Sequence, residues 1–276
     1  MVRVIGVGDN TVDRYLHLGR MFPGGNAVNV AVQARRLGCE AAYLGWLARD
    51  PLGMLIYNAL LEENVDLSHC RLVEGENAYC DVTLKDGDRV FGEYSEGVCG
   101  MIQLDQRDLE FISKFDLTHT SVYSHIDNQL VKLSESSKML SYDFSQEWDK
   151  HLLQKILPHV DIALVSNPPE SVMSNEEIIN LTKSSGPAMV LITNGDQGAM
   201  LSDGKSVYHQ PVIRIENMVD TLGAGDAFAA RFMVDYLRGI PIPEVLENAA
   251  QSAADACKYY GAFGYGAPIN HRNKDS

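Results

Sequence analysis

Asp226 closes the stretch Asp220-Thr221-Leu222-Gly223-Ala224-Gly225-Asp226, where a carboxylate follows three residues with almost no side chain. An apolar, helix-prone run, Ala227 to Val234, comes next, and the preceding Val212–Val219 reads as extended. The first N–H groups of a helix have no intrahelical partner, and the helix dipole adds a positive field there. Gly223, Ala224 and Gly225 leave those groups uncovered, which makes the turn a hole for an anion such as phosphate. A carboxylate at the lip of such a hole is repelled by the anion unless it has a task. Taking the proton from a hydroxyl that attacks phosphorus is one. The alternative is an N-capping Asp after a glycine turn.

A second stretch supplies amides. Pro23-Gly24-Gly25-Asn26-Ala27-Val28-Asn29-Val30-Ala31 opens on two glycines and continues as a helix with apolar Ala27, Val30, Ala31, Ala34 and Leu37. Asn26 and Asn29 stand one turn apart and share a side. Glycines let backbone approach a ligand, and amides both donate to and accept from hydroxyls. Helix capping by Asn26, with Asn29 on a polar face, is the alternative. The first strand ends in Gly8-Asp9-Asn10-Thr11-Val12-Asp13. Ligands of open α/β sheets bind beyond the carboxyl ends of strands, so Asp9, Asn10 and Asp13 stand at a site edge. Gly6-x-Gly8 is not a dinucleotide fingerprint, because its third glycine would fall at Thr11.

These two stretches resemble the signatures of the ribokinase-like (PfkB) carbohydrate kinases, and the likeness runs over nearly the whole chain. The resemblance implies an ATP- and Mg²⁺-dependent sugar kinase with Asp226 as general base. The N–H groups of Gly223, Ala224 and Gly225 would then stabilise the transferring phosphoryl group. Asp9, Asp13, Gly25, Asn26 and Asn29 would hold the sugar. Nucleotide contacts are implied at Asn167, Thr193, Gly195, Gly198, Thr221, Gly223, Gly225, Asn248 and Ser252. Asn167-Pro168-Pro169-Glu170 matches the family's Asn-x-x-Glu, whose carboxylate, here Glu170, acts on Mg²⁺ through water. A helix start with an early Glu is the alternative there. Thr193 to Gly198 resembles the family's Thr-x-Gly-x-x-Gly turn along the nucleotide. Dependence on a monovalent cation such as K⁺ is left open. The wording at Gly8-Asp9-Asn10, Gly24–Ala31, Arg89-Val90-Phe91-Gly92 and Asp143-Phe144-Ser145 is similar to family members that phosphorylate fructosamines. That implies the 6-hydroxyl of fructoselysine or a related adduct as acceptor. Such a substrate carries a secondary ammonium, for which Asp9 and Glu93 are the candidate carboxylates.

The elements that must position these residues alternate. Glu40–Ala48 reads as a strand, Asp50-Pro51 starts a helix, and Val65-Asp66 begins another extended stretch. From Asp105 the rhythm is Asp105–Ser113, Asp116–Tyr123, Asn128–Ser137, Met139–Asp143, Trp148–Leu157, Asp161–Val165, Asn175–Ser184 and Ala188–Thr193, helix then strand. Short connections between such elements predict a mostly parallel sheet covered by helices on both faces. After Asp226 the helix is expected to reach about Arg238, and Pro243 starts another that runs through Cys257. Residues 70–98 differ: Leu72-Val73, Tyr79–Leu84 and Arg89–Tyr94 are short strands, the last two joined by an Asp86-Gly87 turn. The expected fold is an α/β three-layer sandwich, one domain over 1–276, with a small β-sheet lid from about 10–20 and 70–98. In the resembled kinases the lid covers the sugar and is often a homodimer surface. Gly204-Lys205-Ser206 is no P-loop, since position 199 is alanine; Asp203-Gly204 reads as a hairpin turn. His271 to Ser276 reads as disordered.

Composition narrows the function classes. The chain has 276 residues, 45% of them hydrophobic, enough for one large core. With 23 basic against 37 acidic residues, no basic stripe is available for nucleic acid. Cys39, Cys70, Cys80, Cys99 and Cys257 show no Cys-x-x-Cys spacing and read as reduced thiols. No basic leader and no membrane-spanning apolar run is apparent, so a cytoplasmic enzyme with a small-molecule substrate is expected. His151 and His159 read as surface residues. The rivals are a fructokinase, ribokinase or nucleoside kinase of the same family, which these motifs do not separate, and a catalytically silent sugar or nucleotide sensor, which the retained Asp226 opposes. A Rossmann oxidoreductase is disfavoured by Thr11.

Overall fold

The computed structural model describes residues 1–85, 88–187 and 189–269. The chain opens with β1 (Arg3–Val7), β2 (Thr11–Tyr15) and β3 (Arg20–Gly24), then α1 (Asn26–Arg36), β4 (Glu40–Leu44), β5 (Trp46–Ala48), α2 (Pro51–Glu62) and β6 (Arg71–Val73). The hairpin strands β7 (Tyr79–Lys85) and β8 (Asp88–Ser95) follow. The alternating part comprises α3 (Gln106–Ile112), β9 (Leu117–Ser121), α4 (Leu130–Ser136), β10 (Leu140–Asp143), α5 (Lys150–Ile156), β11 (Ile162–Ser166), α6 (Asn175–Ser185) and β12 (Met189–Thr193). The chain ends with β13 (Ala199–Ser202), β14 (Val207–Gln210), α7 (Ala224–Leu237), α8 (Ile242–Ala256) and β15 (Ala267–Pro268).

Eight strands form the main sheet in the order β14-β13-β12-β11-β10-β9-β1-β4, parallel from β12 through β4 and antiparallel at β13 and β14. Successive side chains point to opposite faces, which is why both faces are apolar. Val4, Ile162 and Leu164 pack with Val30 and Ala34 of α1, Phe228 and Phe232 of α7, and Val245 and Ala249 of α8. Ile5, Ala163 and Val165 face the other way, onto Ile112 of α3, Leu133 of α4, Leu153 of α5 and Ile178 of α6. The result is the three-layer α/β sandwich the alternation predicts. The chain moves from β1 outward to β4, then returns past β1 to β9 and on to β12. The direction therefore switches at the β1/β9 boundary, where open α/β sheets carry their ligand crevice.

Above that boundary stands a five-stranded sheet, β15-β3-β2-β7-β8. It confirms a small lid but redraws its limits. Leu72 and Val73 do not belong to it; with Arg71 they pair in parallel with Trp46–Ala48. The single strand expected over Glu40–Ala48 is two, because the chain leaves the main sheet at Gly45. A side chain there would strike the Tyr43 hydroxyl and Gly8 carbonyl, 2.1 and 2.6 Å from its Cβ position. Val212–Val219 is not a strand either: no ladder pairs it, and Val219 N–H instead donates to Cys257 O at 2.8 Å. Asp203-Gly204 does join two antiparallel strands. The Asp86-Gly87 turn, Ala188 and His271–Ser276 lie outside the described residues. None of the five cysteines is in a disulfide among the described residues. His151 is exposed and His159 half-buried.

Body and lid are joined through buried amides. Asn10 Nδ2 donates to Tyr43 Oη (3.0 Å) and Trp46 O (2.9 Å), while Asn77 Nδ2 donates to Asn10 Oδ1 (3.0 Å). Asp50 caps α2 through Gly53 N–H (2.8 Å) and also receives Asn77 N–H (2.9 Å), just before lid strand β7. Asp50→Ala removes both acceptors. A loss of about 1–2 kcal/mol of unfolding free energy is expected in urea titrations, and an unchanged midpoint would contradict the double role.

Candidate active site

The carboxyl ends of the parallel strands bring the site together. Asp9 follows β1, Ser121 ends β9 with Ser124 just beyond, Asp143 ends β10, Ser166 and Asn167 follow from β11, and Thr193 ends β12. Two glycine-opened helices face this edge, α1 and α7. Both begin without a capping side chain of their own, at Gly25 (φ 109°) and Gly223 (φ 77°).

Their N-termini have opposite fates. At α1 the anion is built in: Asp9 accepts from the N–H groups of Asn26 and Ala27 and from the hydroxyls of Ser121 (2.8 Å) and Ser124 (2.9 Å). Asp9 is buried and fully engaged, so it is the cap of α1 and not a carboxylate turned to a substrate ammonium, as the sequence suggested. Gly25 serves the same packing, since a Cβ there would lie 2.5 Å from Asn10 Cα. At α7 no side chain fills the end. The first N–H to find a helical acceptor is that of Ala227, on Gly223 O (2.9 Å); Ala224 N–H makes a long bond to Thr221 O (3.3 Å). That leaves the hole one expected donor poorer, with the N–H groups of Gly225 and Asp226 in the open first turn. The glycines divide the work. Gly223 is required by its positive φ and by Ala262, whose Cβ lies 2.5 Å from where a side chain would start, whereas a Cβ on Gly225 meets nothing within 4 Å. Gly225 therefore answers to no backbone requirement: its smallness keeps space open. Below the turn, Asp220 accepts from Tyr15 Oη, Leu222 N–H (3.1 Å) and Gly261 N–H (3.1 Å), which ties the lid and the C-terminal segment to the loop.

Asp226 is half-buried on the first turn of α7 and is held by amides. Asn29 Nδ2 donates to its Oδ2 (2.6 Å) and Asn26 Nδ2 to its Oδ1 (2.7 Å). The two asparagines share a side, as their spacing predicts. Burial pushes the Asp226 pKa up to about 7; Asn29 and Asn26 pull it down, and the charges of Asp143 and Asp9 push it further up. No Lys or Arg pairs with it among the described residues. Asp143, part of the Asp143-Phe144-Ser145 wording but given no role by the sequence, is a further site residue. It receives the other Asn26 N–H (2.9 Å) and Ser145 N–H (2.7 Å), and burial raises its pKa to about 6. Its signal was its place at the carboxyl end of a parallel strand. His119 is a second miss: it is fully buried on β9, with Nε2 2.6 Å from Asn26 Oδ1.

Asp13 is buried on β2 beside Gly24, where a Cβ would stand 2.6 Å from its Oδ2. In the lid register Asp13 pairs with Cys80 and Cys80 with Tyr94, so these three share one face. Glu93 points to the opposite face, where it accepts from Tyr79 Oη (2.8 Å); Arg14 stacks on that Tyr79 ring and pairs with Asp81 (2.6 Å). The expected role of Glu93 at the substrate is corrected on that ground.

The expected nucleotide residues group at the β11–β12 end and on α8. Asn167 is buried, donates to Asn175 Oδ1 (2.7 Å) and Met173 O, and its carbonyl accepts from Asn194 Nδ2 (2.7 Å). Its own Oδ1 is buried with no hydrogen-bond partner. Glu170 is exposed in the turn that follows, and the next helix starts only at Asn175. Thr193 Oγ1 lies 3.2 Å from Ser166 Oγ; Gly195 (φ 58°) opens the turn to β13, and Gly198 sits where a Cβ would meet Gln210 O at 2.2 Å. Thr221 is exposed and Ser252 half-buried. Asn248 is engaged elsewhere: its Nδ2 donates to Asp235 (2.9 Å), a buried carboxylate of α7 that also pairs with Arg231. Among the described residues no group of three or more His, Cys, Asp or Glu side chains could hold a metal, and no helix is long and apolar enough to cross a membrane.

A family model described as pfkB family carbohydrate kinase matches residues 2–268. The chain is 40% identical over 271 residues to the fructosamine kinase FrlD of Bacillus subtilis (strain 168), covering 97% of this chain and 95% of that one. It is 34% identical over 261 residues to the fructoselysine 6-kinase of Escherichia coli (strain K12), covering 93% and 98%. Among solved structures, Arabidopsis thaliana ribokinase complexed with ribose and ATP is similar with a TM-score of 0.82 at 21% identity, over 96% of this chain and 95% of that one. A putative ribokinase II from E. coli, in complex with ATP and Mg²⁺, gives a TM-score of 0.81 at 20% identity over 95% of each chain.

The two glycines of the α7 turn respond differently to one methyl group. Gly223→Ala should lose about 1–3 kcal/mol of stability, while Gly225→Ala should stay within about 0.5 kcal/mol of the parent and instead raise the KM for nucleotide. Equal destabilisation by both would contradict the division of roles.

Proposed function

The chain belongs to the pfkB family of carbohydrate kinases, phosphotransferases acting on a sugar hydroxyl with ATP as donor, and we propose that Asp226 is the base that activates the acceptor. One observation carries this reading: a half-buried carboxylate with a pKa near 7 stands beside the open N-terminus of α7. A base with a pKa near the working pH is well matched to proton removal, and the open N–H groups suit the charge of the transferring group. The acceptor oxygen forms a bond to the γ-phosphorus as the bond to the β,γ-bridging oxygen breaks, and the acceptor proton passes to Asp226. Asp13, Gly25, Asn26 and Asn29 line the sugar side. Asn167, Thr193, Gly195, Gly198, Thr221 and Ser252 line the nucleotide side. Mg²⁺, when bound with the nucleotide, neutralises phosphate charge. The residues present fit it through water: Asn167 Oδ1 is an unpartnered oxygen, and Glu170 is an exposed carboxylate in the next turn.

The acceptor we propose is the 6-hydroxyl of fructoselysine or a close fructosamine. The named relatives support it, at 40% and 34% identity against 21% and 20% for the two ribokinase structures. The secondary ammonium calls for a carboxylate, and Asp13, buried on β2 of the lid, is the one we propose.

Asp226→Asn should lower turnover by about 10²–10⁴-fold with little change in nucleotide affinity. The variant should also be the more stable protein at pH 8. A carboxylate whose pKa is raised by folding costs stability as pH rises from about 4 to 7, and none below that range. Asn29, whose Oδ1 has no partner, can turn its amide to receive the new Nδ2. Turnover within a few-fold of the parent would refute the base assignment. For substrate, kcat/KM for fructoselysine should exceed that for fructose by at least about tenfold, the value of one charge-assisted hydrogen bond. Equal use of fructose, ribose or a nucleoside would remove the fructosamine reading and leave the kinase intact.

A further inference from the structure

His119 sits at full burial inside the main sheet, where desolvation costs free energy for an imidazole and not for an aliphatic side chain. Its Nδ1 lies 2.8 Å from Ser141 Oγ and its Nε2 2.6 Å from Asn26 Oδ1. Burial drives its pKa down to about 3, so the ring is neutral and only one nitrogen carries hydrogen. The surrounding bonds decide which. Asn26 gives one amide N–H to Asp143 and the other to Asp226, so its oxygen must face the ring, and only an N–H can face that oxygen. Nε2 is therefore the donor, and Nδ1 accepts the Ser141 hydroxyl. The assignment is consistent from end to end. Turning the Asn26 amide over would aim its oxygen at two carboxylates.

We infer that Ser141 and His119 form a positioning device for the phosphoryl-transfer base: they hold the Asn26 amide with both N–H groups on Asp226 and Asp143, and thereby set the proton affinity of Asp226. The inference rests on the assignment of Asp226 as base. An N–H donor favours the charged carboxylate, so an amide free to turn leaves Asp226 a stronger proton acceptor and less ionised at a given pH. The ionisable groups around Asp226 are Asp143 on β10, Asp9 after β1 and neutral His119 on β9, with the Asn29 amide on α1. None of these supplies a positive charge that could take over from Asn26. Neither Ser141 nor His119 bonds to Asp226 directly, so removal of either acts only through the amide.

The test uses His119→Val, Ser141→Ala and the conservative Ser141→Thr, which keeps the hydroxyl on a strand that tolerates β-branching. Two quantities are followed from pH 5 to 9: kcat/KM for fructoselysine, and the ¹³C carboxyl shift of Asp226 in the substrate-free protein, identified by its loss in Asp226→Asn. His119→Val and Ser141→Ala should move both midpoints upward by about 0.5–1 pH unit, which is about 3–10-fold lower kcat/KM at pH 6 and near-parental values at pH 8.5. Ser141→Thr should leave both midpoints in place. Profiles lowered by the same factor at every pH, with an unmoved carboxyl midpoint, would overturn the inference; that is what a purely structural histidine predicts. Should His119→Val not fold, Ser141→Ala decides. If Asp226→Asn retains turnover, the base assignment fails, and the carboxyl shift alone still judges whether the device sets the proton affinity of Asp226.

Discussion

A carboxylate held by neutral amides, in a crevice that already contains two other carboxylates, is electrostatically costly, and much of the structure serves to hold Asp226 in that position. The donors come from Asn26 and Asn29, one turn apart on α1. Helix α1 is anchored by Asp9 at the end of β1, and Asp9 is held by serines at the end of β9. Asp226 itself rides on the first turn of α7, whose start depends on Gly223 fitting against Ala262. None of these supports is an arginine or lysine. A cation at this point would lower the proton affinity of the base and compete for the substrate's oxygen.

The same sheet edge carries two helix N-termini with similar sequences and different fillings. At α1 a built-in carboxylate satisfies the N–H groups, so the end is a structural joint. At α7 the end is left open, and the residues that would fill it by side chain are glycine and alanine. Stability and activity are divided between the two. The closed end gives the protein a rigid α1 on which the amides are mounted, and the open end leaves unsatisfied donors for a ligand.

Much of this was legible in the residues. The helix–strand alternation from Asp105 onward placed its elements correctly because each is short and apolar on a clear period. Asn26, Asn29 and Asp226 were legible because glycines mark where backbone must come close. The mistakes have physical causes. Gly45 breaks a strand that composition reads as continuous, since the crowding there, by the Gly8 carbonyl and the folded-back Tyr43 hydroxyl, appears only in the fold. The strand-like Val212–Val219 has no neighbouring ladder to join. Asp9 looked like a ligand carboxylate because a sequence does not show that a helix start seventeen residues on will need a cap. Glu93 was misread because a bulge between Cys80 and Val82 and the pairing register decide its face. His119 carried no motif, and Asp143 stood in a quoted stretch with no role attached; their roles exist only once β9 and β10 lie side by side.

The account turns on a base whose proton affinity is raised by burial, so the most direct measurement is the pH dependence of kcat/KM for the unmodified enzyme with fructoselysine at saturating Mg²⁺-nucleotide. An acidic limb with a midpoint near 7, far above the ordinary aspartate range, is the predicted result. A profile flat down to pH 5 would contradict it, because the carboxylate that takes the proton would then be an ordinary, solvated one.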